Sequence, residues 1–187
     1  SPKWKVQFSN PIFIAQSNVS LDTVKPVKTT DKLINRIDQV GLKTLQDCMQ
    51  QVFEDGPKRD RRLWLGDLRL QALANYATFN NQKLVKRCLY LFGALPAEDG
   101  RITTNIFTFT HPIPDNSFFF DYGVFFISTL FDYYKQYGDK EAVDDLYQPA
   151  KDEINAALRS VNNKHLVEYS QKFFLFVDWN MNFDRHA

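Results

Sequence analysis

The chain has 187 residues, is 44% hydrophobic and carries a formal net charge of +1. It holds enough apolar material for a sizeable core, and too little net charge for the field that draws a protein to nucleic acid or to a membrane surface. No apolar run reaches the roughly 18 residues of a membrane span; the richest, residues 118–131, is interrupted by Asp121. Aromatics are abundant, with 17 Phe, 8 Tyr and 3 Trp, which suits a core and also suits sugars, whose C–H faces stack on rings.

Residues 3–15 hold two short β-like runs split by the turn signal Asn10-Pro11. Residues 16–28 are polar, carry Pro26 and read as a connector, so residues 1–28 look like the end of a β domain plus a linker. Thr29-Thr30-Asp31 then offers helix N-caps, and Leu33, Ile34, Ile37, Val40, Leu45, Met49 and Val52 recur at helical spacing over about six turns. Gly56-Pro57 ends that pattern. Asp67 is placed to cap the next helix, with Leu68, Leu70, Leu73, Ala74, Ala77 and Thr78 on its buried side. A third helix is expected from Lys83 to Leu95, and an extended segment over residues 101–109. His111 to Asn116 reads as irregular, Phe118 to Tyr137 as an apolar helix stopped by Gly138-Asp139, and Glu141 to Val161 as a further helix, either whole or in two pieces around Pro149. An aromatic run, Phe173 to Trp179, follows. The fold class is mainly α, with helices in antiparallel succession and the unusual residues in the loops between them.

Cys48 and Cys88 form neither a disulfide framework nor a metal-ligand cluster and read as small buried hydrophobes. His111, His165 and His186 are scattered. No metal or other cofactor is expected.

Chemistry concentrates in residues 54–67, Glu-Asp-Gly-Pro-Lys-Arg-Asp-Arg-Arg-Leu-Trp-Leu-Gly-Asp, which pack four carboxylates, four cations and an indole into one loop. An Arg beside a carboxylate fixes its geometry and keeps it ionised, whereas a carboxylate pressed on a ring gains proton affinity. Glycoside hydrolysis needs such divergence, with one carboxyl protonated for the leaving oxygen and others ionised. On composition alone two other readings stand: a solvated loop of weak surface pairs around a core Trp, and a phosphate patch from Lys58, Arg59, Arg61 and Arg62 split by Asp60.

The run from Asp55 to Asp67 resembles the signature of the bacterial α-L-rhamnosidases, glycoside hydrolase family 78, roughly Asp-Cys-Pro-x-Arg-Asp-Glu-Arg-x-Gly-Trp-x-Gly-Asp. The Ala97-Glu-Asp-Gly100 turn, Asp121-Tyr122, the Tyr134 to Asp139 stretch and Asp178-Trp179 resemble later family segments in the same order. The resemblance implies an (α/α)6 six-hairpin barrel, of which residues 29–187 would supply the N-terminal half, and acid-assisted, inverting hydrolysis of a terminal sugar. It also implies a periplasmic or secreted bacterial protein, with a carbohydrate as partner and neither nucleic acid nor membrane. Half a barrel would be inactive alone, its catalytic base lying beyond residue 187 and its uncovered helix faces inviting self-association.

The transfer of roles has one departure. Counted from Asp55 the family's acid Glu falls on Arg61, and counted back from Trp64 and Asp67 it falls on Asp60, because this loop is one residue shorter. An Arg cannot serve as a general acid near neutral pH, so Asp60 is the preferred acid. If the forward count holds, the acid is lost and Asp60 binds sugar. The resemblance makes Asp55 and Arg59 sugar-hydroxyl ligands, Trp64 the wall of the pocket, and Asp67, Asp121, Asp178 and Trp179 residues of its mouth. Arg61 opens a further alternative, a glycosidase for an acidic sugar, and a non-catalytic carbohydrate-binding or scaffold protein is the rival of another class.

Overall fold

The computed structural model describes residues 4–168 and 172–174. Its first helix, α1 (Lys32–Cys48), starts where Asp31 accepts hydrogen bonds from the amides of Leu33 and Ile34. It ends four residues before Val52, the last residue of the predicted apolar pattern. Met49 caps it, Met49 and Phe53 form an isolated bridge, and Met49, Val52 and Phe53 drop into the core. The apolar stripe of α1 faces outward: Leu33, Ile34, Ile37 and Val40 are exposed and only Leu42 is buried.

Next come β1 (Leu63–Trp64) and, without a break, α2 (Leu65–Ala77). Asp67 does not cap α2. Trp64 is the cap residue and Asp67 lies in the first turn, where a carboxylate meets the positive end of the helix dipole. The buried face of α2 is Leu65, Gly66, Leu68, Ala72 and Asn75, and Leu70 and Leu73 are exposed, contrary to the periodicity reading. Asn75 is accommodated in the interior because its Oδ1 accepts the Asn81 amide at 2.9 Å.

Helix α3 (Gln82–Gly93) buries Leu84, Val85, Cys88, Leu89 and Phe92; Cys88 is fully buried, whereas Cys48 is only half-buried. The chain then forms β2 (Asn105–Phe107), as the alternation in residues 101–109 predicts, and β3 (Ile113–Pro114), where an irregular segment was expected. These antiparallel strands make a small sheet in the order β1-β2-β3, with Leu63 opposite Ile106 and Phe107 opposite Ile113. Two-residue strands leave no periodic trace in a sequence; tertiary pairing makes them.

Helix α4 (Phe120–Tyr137) ends at Gly138 in the left-handed conformation, φ 66°. Asp139 caps α5 (Lys140–Leu158), which passes Pro149 as one continuous helix instead of dividing there. Helix α4 is the central element, packing on α2, α3 and α5. No helix among the described residues is long and apolar enough to cross a membrane.

Among the described residues, 4–15 form no strand or bridge, and Trp4, Phe8, Ile12 and Phe13 are exposed. A strand exists only by virtue of its ladder partner, so the β-like pattern read there is unrealised in this structure.

Candidate active site

The acid- and base-rich loop is folded by its own backbone. The Asp55 amide donates to the Arg62 carbonyl at 2.9 Å, and the two residues form an isolated antiparallel bridge that closes the loop. At its turn Gly56 has φ 56°, and its carbonyl accepts the Arg59 amide at 2.7 Å. A Cβ on Gly56 would lie 2.9 Å from Asp60 Oδ1 and 3.2 Å from the Arg59 guanidinium. Glycine here, where the rhamnosidase signature has Cys, lets those two side chains fold back over the turn.

The Asp60 side chain is 19% exposed, less than those of Asp55, Arg59 and Arg62 around it. Trp64 Nε1 donates to Asp60 Oδ2 at 3.3 Å, four residues along the chain. Arg59 and Arg62 stand 4.0 Å from its two oxygens. Asp60 Oδ1 is buried with no hydrogen-bond partner, an arrangement that costs roughly 1–3 kcal/mol until a donor arrives. Asp55 accepts from Arg59 Nη2 at 3.1 Å. Arg59 is largely open to solvent and Asp55 about a third exposed, so the pair adds little to stability.

Arg61 points away from this cluster. It is exposed, adopts φ 55°, and donates from Nε to the Pro57 carbonyl at 3.1 Å. Asp67 closes the cluster on the α2 side. Burial raises the proton affinity of its carboxyl, and the neighbouring Asp55 and Asp60 charges raise it further, against a smaller opposing effect of Arg59 and its own backbone hydrogen bond. Glu54 is likewise raised by burial, with Arg61 opposing.

Helix α4 enters through Tyr122. Its ring lies on Gly66, where a Cβ would meet it at 2.5 Å, and stands edge-on to Trp64 with ring centres 6.4 Å apart. Asp121, in the first turn of α4, accepts the Tyr122 amide at 3.0 Å, and burial raises its pKa. The structure thus brings together Asp55, Arg59, Asp60, Trp64 and Asp67, turns Arg61 outward, and sets Asp121 one residue from the Tyr122 contact. Asp178 and Trp179 lie outside the described residues.

Three participants escaped the sequence reading in this role. Arg62, there only part of a basic run, lies with its guanidinium 4.2 Å from the Phe107 ring centre and 6.0 Å from that of Trp64. Phe107 comes from β2, more than forty residues away, and Asn105 pairs with Trp64 across the ladder. Only strand register reveals them. Among the described residues no three His, Cys, Asp or Glu side chains are grouped to hold a metal ion.

Helical hairpins with a carboxylate- and arginine-bearing loop between α1 and α2 are consistent with part of a six-hairpin glycosidase domain. Residues 22–186 match the family described as bacterial alpha-L-rhamnosidase 6 hairpin glycosidase domain, and the chain belongs to that family. A solved rhamnosidase from Klebsiella oxytoca, with rhamnose bound, superposes with a TM-score of 0.79 at 44% sequence identity. The match covers 84% of this chain and 31% of that one, so the chain spans under a third of that relative's length. No curated protein matches at a significant level.

Proposed function

We propose that this chain forms part of a glycoside hydrolase that releases a terminal α-L-rhamnosyl or closely related unit with inversion, Asp60 being the general acid. The observation that carries the reading is the state of the Asp60 carboxyl. It is mostly buried, tethered by the Trp64 indole N–H, and left with one buried oxygen that has Arg59 4.0 Å away but no hydrogen-bond partner. In the proposed reaction Asp60 gives its proton to the glycosidic oxygen as the C1–O bond breaks. A water attacks C1 from the opposite face and loses its proton to a second carboxylate, and a free sugar of inverted configuration departs. Asp55 and Arg59 hold sugar hydroxyls, Trp64 walls the ring, and Asp67 and Asp121 border the pocket. The second carboxylate is assigned to residues beyond these 187, in keeping with the 31% of the related rhamnosidase that the chain covers. Residues 1–28 are assigned to the close of a preceding β domain, which would cover the exposed Trp4, Phe8 and Phe13.

Two measurements on the intact protein test this. It should release sugar from an aryl α-L-rhamnoside, and Asp60→Asn should lower kcat about 10²- to 10⁴-fold while rhamnose binding persists. No turnover across a panel of aryl glycosides by the folded protein would leave a carbohydrate-binding role in its place. One second reading has a specific observation behind it: the raised proton affinity of Asp67 would let that residue hold the proton instead. Asp67→Asn would then abolish turnover while Asp60→Asn mainly weakened sugar binding.

A further inference from the structure

The β1-β2-β3 sheet has two unlike faces. Leu63 and Ile106 point into the core and are fully buried. Strand alternation puts Trp64, Asn105 and Phe107 on the other face, and Arg62, next beyond Leu63, continues the row beside Phe107. On that face the guanidinium of Arg62 covers the Phe107 ring at 4.2 Å, with the Trp64 ring on its other flank at 6.0 Å. Phe107 remains 37% exposed, its cross-strand neighbour Ile113 is exposed, and Phe109 at the hairpin tip is 85% exposed. Asn105, fully buried opposite Trp64, donates from Nδ2 to Asp115 at 2.8 Å and keeps a buried Oδ1 without a partner.

The proposed chemistry says which ligand. A general acid touches the oxygen that joins the sugar to its leaving group, so whatever is attached beyond that oxygen must lie on the acid's side of the pocket. Arg62 is 4.0 Å from Asp60 Oδ2, which places the Arg62–Phe107 stack on that side and within reach of the first ring beyond the scissile bond. We infer that the outward face of this sheet, Arg62 and Phe107 flanked by Trp64 and Phe109, is a leaving-group subsite that takes a flat ring with an apolar face. An aryl aglycone and the C–H face of a second pyranose share that chemistry.

This inference rests on the glycosidase reading, and the experiment separates the two. In the intact protein kcat/KM is measured for methyl, phenyl and glucosyl α-L-rhamnosides, with wild type, Phe107→Ala and Phe107→Tyr. The wild type should favour a ring-bearing leaving group over methyl. Phe107→Ala should reduce that preference about tenfold, the order expected of one stacked ring, and Phe107→Tyr should restore it. Selective loss on the phenyl or on the glucosyl substrate supports the subsite and names its natural occupant. Equal loss on all three substrates, or no change in the preference, overturns it. Failure of the wild type to cleave any of them strikes the glycosidase reading instead.

Discussion

Asp60 and Gly56 show how far single residues govern this site. The carboxyl of Asp60 sits where it does because the turn beneath it has no Cβ, so Gly56→Ala should be costly twice over. A left-handed φ strains an alanine by roughly 1 kcal/mol, and the new methyl would stand 2.9 Å from Asp60 Oδ1. We expect Gly56→Ala to lower kcat by at least about tenfold with a modest loss of thermal stability; steady-state kinetics alongside a melting curve checks both. Full activity in the alanine variant would mean that the observed Asp60 position is not the working one. Arg61 offers the contrast. Turned outward and tied to the Pro57 carbonyl, it should tolerate Arg61→Ala with less than about a threefold change in kcat on a neutral glycoside. A much larger loss on a substrate bearing a carboxylate would favour the acidic-sugar alternative.

Helices whose apolar residues recur at regular spacing were legible in the sequence, and the small sheet was not. The Asp31 cap, the Gly138 stop and the Asp139 cap all stand where residue chemistry puts them. Asp139 accepts the Tyr133 hydroxyl at 2.7 Å and pairs with Lys86 at 3.0 Å, and these contacts hold its carboxyl below the usual range. The Gly-Asp element that resembles a family motif is therefore part of the α4–α5 turn. What the sequence could not show was which face each helix buries. Two leucines of α2 point outward because Gly66 must meet Tyr122, and Pro149 sits inside α5 without dividing it. The α2–α4 contact predicts that Gly66→Ala will displace the Tyr122 ring and cost about 2–4 kcal/mol, read by chemical denaturation. A loss under 0.5 kcal/mol would show that the ring yields freely.

Helix α5 carries a second consequence, Glu153, fully buried and accepting the Ile102 amide at 2.5 Å, with its other oxygen unpartnered. Burial lifts its pKa from 4.5 to about 7. The folded state therefore keeps a proton that the unfolded chain releases between those values, and stability falls as pH rises through that window. Glu153→Gln removes the titration and should be more stable than wild type by about 1–3 kcal/mol at pH 8. The gain should vanish near pH 4; an offset independent of pH would contradict the assignment.

At the scale of the whole molecule, the unpaired surfaces matter most. The outward stripe of α1, with Leu33 67% and Ile37 62% exposed, is a strongly apolar helix face that water does not favour. Phe131, Tyr147 and Leu158 make a second exposed set on α4 and α5. Produced alone, the 187 residues should self-associate, and Leu33→Glu with Ile37→Glu should shift them toward monomer in sedimentation velocity. A monomeric wild-type chain would show that these faces need no cover. With the second carboxylate outside these residues, as proposed above, the same chain should release no sugar even when folded.

Whether Asp60 protonates the departing oxygen is read from how the effect of its removal depends on leaving-group basicity. Aryl α-L-rhamnosides with phenols from acidic to weakly acidic are compared in the intact protein and in Asp60→Asn. A general acid matters most where the leaving group needs its proton. Asp60→Asn should lose about 10²- to 10⁴-fold on the phenyl glycoside, the loss shrinking toward wild-type rates on the dinitrophenyl glycoside. An equal loss on every member of the series would contradict it and return Asp60 to the role of a sugar ligand.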